Sequence, residues 1–137
     1  MKRLLWFLPA LWSMTGCDVT IVEPRYDGRD RVTGYYDMEE YSHTYNDMTY
    51  YSVHVTKSVS DASEVWLSNF YSADIRVSAY VHGDQITIPL QEVNGYEVEG
   101  VGTIYSDNSL ELNYTVRDRY DSHARTDFCD TKAWREQ

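Results

Sequence analysis

Cys17 and Cys129 carry the most reactive side chains of this 137-residue chain. Cys17 ends the stretch "LPALWSMTGC", directly after an apolar run and a glycine. A thiol there can become a thioether, form a disulfide or remain an ordinary thiol. A thioether leaves Cys129 unpaired, and an unpaired cysteine is commonly buried. A Cys17–Cys129 disulfide would instead tie the N-terminus to the last predicted strand.

The residues before Cys17 have the three-part pattern of a secretory signal peptide. Lys2 and Arg3 supply positive charge, residues 4–12 are apolar, and residues 13–16 are mostly small or polar. The apolar stretch is about half of the roughly 20 residues that cross a bilayer as a helix. We therefore predict that residues 1–16 are a signal peptide.

The stretch "MTGC" at residues 14–17 resembles the lipobox of bacterial lipoproteins, although Met14 stands where that family most often has Leu. The resemblance implies that Cys17 becomes the first mature residue, carries a diacylglycerol on sulfur and is acylated on its amine, with palmitate a typical chain. Two or more acyl chains anchor a protein stably. The expected partner of Cys17 is thus a membrane. A conventional secretory cleavage near Thr15 or Gly16 is the alternative.

Tyrosine is unusually abundant, and all 13 tyrosines follow the predicted signal. Adjacent pairs such as Tyr35-Tyr36 can place one ring on each side of a sheet. Tyr41 and Tyr45 fall near a predicted loop, where an apolar ring with a polar tip can stack on a sugar or contact a protein. They are our candidate ligand-binding residues.

The sequence offers no catalytic motif and no metal-ligand spacing. We expect surface positions for His43, His54, His82 and His123, and a solvated acidic face for Asp118, Asp121, Asp127 and Asp130. The predicted signal holds two basic and no acidic residues, so residues 17–137 carry 10 basic and 22 acidic residues, a formal charge of −12. This charge disfavours nucleic acid as a partner. We predict no enzyme activity, no cofactor and no metal.

From residue 31 onward, apolar and polar side chains alternate with a period of two. This pattern is typical of β-strands with one buried face, and such strands would position the residues named above. Asn94-Gly95 is a strong hairpin signal, and Gly83-Asp84 and residues 106–109 supply further turns. We predict an all-β fold, an up-and-down antiparallel meander of about eight strands closed into a barrel, with a two-sheet sandwich as the alternative. Pro89 should mark a bulge or a gap in closure. The residues expected to face a mostly packed interior are Tyr51, Val53, Val55, Ile75, Val77, Leu110, Leu112, Tyr114 and Val116.

Several short motifs, including "VTGYYDMEEYS", "GYEVEGVGTI" and "FCDTKAW", resemble small lipocalin-like lipoproteins of the Bacteroidota envelope over residues 31–134. This resemblance implies a compact barrel and points to the outer membrane rather than the inner. Lipocalins carry Gly-x-Trp on the first strand, whereas this chain has Gly34-Tyr35-Tyr36. We divide the chain into a signal (1–16), a lipidated N-terminus and tether (17–30) and a β-barrel domain (31–137). Two functions stay open: a non-enzymatic structural or interaction module, or a lipocalin-like binder of a small apolar or carbohydrate ligand.

Overall fold

The computed structural model describes residues 27–137, so Cys17 and the predicted signal lie outside the described residues. A short 3-10 helix, Gly28–Arg31, precedes eight strands. The strands are β1 (Gly34–Ser42), β2 (Asp47–Lys57), β3 (Glu64–Phe70), β4 (Ile75–His82), β5 (Gln85–Val93), β6 (Tyr96–Ile104), β7 (Leu110–Asp118) and β8 (Asp127–Arg135).

The eight strands form one antiparallel meander that closes into a barrel. Each strand pairs with its neighbour in sequence, and β1 pairs with β8 from Tyr36 opposite Arg135 to Ser42 opposite Cys129. The predicted up-and-down barrel is therefore confirmed, and the sandwich alternative is wrong. Closure pairs the edges that an open sheet would expose.

The predicted turn between β5 and β6 is also confirmed. Asn94 and Gly95 have φ values of 48° and 85°, which is the positive pair that a type I′ turn requires. Gly83, in the link between β4 and β5, has a φ of 59°. These short turns fix the register of the two hairpins on either side of β5.

Two irregularities let the sheet curve around a small interior. The β5–β6 register shifts between Ile88 and Gln91, the interval that contains Pro89. A shift is predicted there because proline has no backbone N–H to donate to the neighbouring strand. On the inner side of β6, Gly100 lies opposite Tyr114. A Cβ at Gly100 would come within 2.6 Å of the Asn113 carbonyl oxygen, so only glycine allows β6 and β7 to bend together here.

Side chains from all eight strands occupy the barrel interior. Tyr36, Phe70, Val77 and Ile88 have no measurable exposure. Every residue predicted to face the interior does so: Tyr51 is partly buried, and Val53, Val55, Ile75, Val77, Leu110, Leu112, Tyr114 and Val116 are buried.

One end of the barrel, here called the plugged end, is closed by the 3-10 helix and by Val32, which is buried. The Arg29 guanidinium crosses from this helix to the β2–β3 loop, where Nη1 donates to the carbonyl oxygens of Ser58 (2.8 Å), Asp61 (2.9 Å) and Glu64 (3.0 Å). The last residues of the predicted tether are thus packed against the barrel. Among residues 27–137, no helix is long and apolar enough to cross a bilayer.

Candidate functional site

Tyr41 and Tyr45, the candidate ligand-binding residues, lie on and beside the outer surface. Tyr41 is on the outer side of β1, opposite Met48 on β2 and Asp130 on β8. Its hydroxyl donates to the side chain of Asn46. Tyr45 is half-exposed in the β1–β2 loop, with the Arg125 guanidinium 5.2 Å from its ring centre. The structure thus places the two rings near one end of the barrel wall, and their role in binding stays a prediction.

The four aspartates considered for a cation do not converge. Asp127 is buried in the barrel interior, so the solvated position predicted for it is wrong, whereas Asp130 faces outward and contacts His43, with 2.5 Å between Oδ2 and Nε2. Asp118 and Asp121 cap local turns by accepting from the backbone amides of Tyr120 and His123. Within residues 27–137, no three His, Cys, Asp or Glu side chains gather as metal ligands do.

The end of the barrel opposite the plug, here called the polar end, holds a buried carboxyl group that the sequence analysis did not single out. Glu40 on β1 is buried, and its Oε2 accepts hydrogen bonds from the hydroxyls of Tyr51 (2.6 Å) and Tyr114. These two hydroxyls are 2.9 Å apart, and the Thr131 hydroxyl donates to that of Tyr114 at 3.0 Å. Four strands therefore contribute to one hydrogen-bonded cluster.

Burial decides the protonation chemistry of this cluster. Loss of solvent raises the pKa of Glu40, and the hydrogen bonds from Tyr114 and Tyr51 oppose the rise. Loss of solvent also raises the pKa values of the Tyr51 and Tyr114 phenols well above the ordinary value of 10.0. The phenols accordingly stay protonated at neutral pH and serve as hydrogen-bond donors.

A second buried carboxyl group lies beside this cluster. Asp127 on β8 accepts from Ser42 and from Tyr71, at 2.5 Å in each case. Tyr71 belongs to the β3–β4 loop, where it, Ser72 and Asp74 have φ values between 53° and 60°. Non-glycine residues rarely adopt such backbone angles, and the hydrogen bond from Tyr71 to Asp127 ties this loop to β8.

Cys129 is buried in the barrel wall near the polar end, and it is a free cysteine. Loss of solvent raises the pKa of its thiol, so the thiol stays protonated and unreactive. The described chain joins the barrel at the other end, at Asp27. A disulfide with Cys17 would require the N-terminal segment to enter the barrel wall at the polar end.

The outer surface of β6, β7 and β8 forms a trough of about 330 Å³. Along its centre run the short side chains of β7, and taller residues of β6 and β8 flank them. Two rows of paired residues cross it: Val101, Asn113 and Asp130 in one, and Glu99, Thr115 and Phe128 in the other. Val101 and Phe128, at diagonally opposite corners, are more than half exposed. Glu99 and Asp130 occupy the other two corners.

No protein-family model matches this chain, and no curated protein matches it. Among solved structures, the barrel is similar to a redesigned beta barrel, with a TM-score of 0.57 and 10% sequence identity. The match covers 84% of this chain and 100% of that chain. At this identity the likeness shows the barrel fold alone.

Proposed function

We propose that this protein is a cell-envelope lipoprotein, anchored to a bacterial membrane through lipid on Cys17, whose barrel is a non-enzymatic interaction module that works through its outer surface. The observation that carries the proposal is the interior of the barrel, which is occupied by its own side chains from Tyr36, Phe70 and Ile88 to Leu112. The space left for a partner is on the outer wall, where the trough of β6–β8 lies.

The position of Cys129 supports the lipid over the disulfide as the fate of Cys17. Cys129 is 2% exposed and lies near the polar end, whereas the described chain begins at the plugged end. Asp27 comes ten positions after Cys17, a span of at most about 35 Å when the chain is extended. A lipid on Cys17 would therefore hold the plugged end within about 35 Å of the lipid attachment.

The test of the anchor is mass spectrometry of the mature N-terminus, combined with membrane fractionation, for the wild type and two cysteine variants. We expect the wild type to begin at Cys17 with acyl chains attached and to fractionate with membranes, the outer membrane in particular. Cys17→Ser should lose the lipid and either become soluble or retain its signal. Cys129→Ala removes the other cysteine and should leave the lipid in place.

An unmodified Cys17 in the mature wild-type protein would refute the anchor. The interior is tested separately by native extraction of the protein and analysis for a bound small molecule. An apolar molecule that co-purifies, and is lost on Val77→Trp, would replace the interaction module with a lipocalin-like binding protein.

A further inference from the structure

We propose that the trough on the outer face of β6, β7 and β8 binds an arginine side chain of an extended segment of a partner polypeptide. This inference rests on the proposed function, because it names the kind of partner that the outer surface would take. It is carried by the arrangement of two apolar and two acidic side chains around a floor of small polar ones.

Two basic residues, Lys132 and Arg117, lie on the outer side of β8 and β7, two residues beyond Asp130 and Thr115, but neither lines the trough. Of the described residues that line the trough, none is Lys or Arg. Within residues 27–137, the side chain of Glu99 makes no hydrogen bond or ion pair, and the carboxylate of Asp130 contacts the ring of His43. Carboxylates in a concave, partly apolar site favour a cation, and the formal charge of −12 on residues 17–137 would attract one from a distance.

The apolar corners select arginine among cations. Phe128 and Val101 offer surfaces for the methylene stem of a long side chain. A guanidinium group also stacks on an aromatic face and donates to carboxylates in a planar fork, whereas an ammonium group is a compact and strongly hydrated charge. Asn113 and Thr115 on the floor are short, so they leave room for the guanidinium between the walls.

The surface beside the trough favours an extended segment over a single residue. Asp130 also lines a neighbouring hollow of about 210 Å³, which includes Tyr41 and Met48. This hollow lies across β8 from the trough, and two strand spacings amount to about 10 Å. That distance is about three residues of a polyproline-II segment, an extended conformation in which side chains three residues apart lie on the same side. A segment with arginine in the trough would thus place an apolar residue against Tyr41 and Met48.

The experiment is a titration of the ¹⁵N-labelled mature protein in detergent micelles with a synthetic heptapeptide. The amide chemical shifts of the protein are monitored by NMR at each peptide concentration. The peptide carries arginine at its third position, leucine at its sixth, and serine or glycine elsewhere. A second peptide replaces arginine with citrulline, which has the same shape without the charge. We expect the arginine peptide to shift the amides of residues 99–101, 113–115 and 128–130, and the citrulline peptide to bind about tenfold more weakly.

Two double variants separate the trough from the overall charge of the protein. Glu99→Gln with Asp130→Asn should weaken the arginine peptide about tenfold. Glu92→Gln with Asp37→Asn removes the same charge from exposed positions outside the trough and should change the affinity by less than about twofold. Phe128→Ala should also weaken binding, with Tyr50→Ala as the control on an exposed ring of another strand.

Equal weakening by both double variants, equal binding of the two peptides, or the absence of shifts at the trough amides would overturn the proposal. So would shifts at these amides with a neutral oligosaccharide and none with either peptide, because the trough would then belong to a carbohydrate. None of these results alters the lipid on Cys17 or the contents of the interior, so a failure here is distinct from a failure of the proposed function.

Discussion

At the plugged end of the barrel, Val32 is buried beneath a 3-10 helix that ion pairs hold, whereas at the polar end two buried carboxyl groups accept hydrogen bonds from tyrosines. The helix of the plug is capped by local sequence, because Asp27 and Arg29 are two residues apart and pair at 2.9 Å, and Arg29 then attaches this helix to the β2–β3 segment. The polar end is assembled from distant strands, since Glu40 and Tyr114 are separated by 74 residues.

The two ends also differ in solvent exposure. The charged side chains of the plug are partly solvated, so salt weakens the attraction between them. Exposing them further to water therefore costs little stability. Glu40, Tyr114 and Thr131 are almost fully enclosed, so removal of one partner leaves buried polar atoms with fewer hydrogen bonds and no water to replace them. Damage to the polar end should therefore cost the protein more stability than damage to the plug.

The largest expected effect is that of Tyr114→Ala at the polar end. The substitution removes a buried ring that packs at 4.6 Å from Phe70 and a hydroxyl that serves Glu40 and Thr131. We expect a loss of about 4 kcal/mol in the free energy of unfolding, measured by urea denaturation. Tyr50→Ala, at a ring that is 68% exposed, should cost less than about 0.5 kcal/mol. A loss below about 1 kcal/mol for Tyr114→Ala would mean that the polar end is loosely packed.

A smaller effect is expected from Arg29→Ala at the plugged end. The guanidinium joins the 3-10 helix to three carbonyl oxygens of the β2–β3 segment, and its side chain is 11% exposed. Loss of these charged hydrogen bonds should lower the free energy of unfolding by about 2 kcal/mol, again by urea denaturation. Arg29→Lys keeps the charge without the fork and should recover only part of the loss. Full recovery by lysine would show that charge, rather than geometry, holds the plug.

The strands and their order follow from the sequence because they depend on local rules. Alternation with a period of two placed Val53, Val77 and Leu112 on the inner face, and the structure buries all three. Asn94-Gly95 identified a type I′ hairpin, since few residues other than asparagine and glycine adopt two consecutive positive φ angles.

The polar end could not be predicted in the same way. The alternation in β1 puts Glu40 on the same face as Tyr36 and Met38, but a carboxyl group is expected to face water unless its partners are known. Those partners, Tyr51 and Tyr114, become neighbours only when the barrel closes. The trough depends likewise on the register of β7 against β8, which the long loop between these strands does not reveal.

The smallest expected effect is a difference between the two ends in how their contribution to stability depends on pH. The measurement is the free energy of unfolding from pH 2.5 to 8 for the wild type, Glu40→Gln and Asp27→Asn. Loss of solvent raises the pKa of Glu40 above its ordinary value of 4.5, with Asp127 and Asp47 adding repulsion. The folded protein then holds a proton that the unfolded chain releases, so the stability of the wild type should fall as the pH rises through the window above 4.5. Hydrogen bonds from Arg29 lower the pKa of Asp27 below its ordinary value of 3.8, and the contribution of Asp27 to stability should be lost as the pH falls through the window below 3.8.

Glu40→Gln should remove the pH dependence above 4.5, and Asp27→Asn should remove the one below 3.8. Glu39→Gln, on the outer face, tests whether the slope above 4.5 belongs to Glu40 in particular. A wild-type slope above pH 4.5 that survives Glu40→Gln would place its origin elsewhere than the polar end.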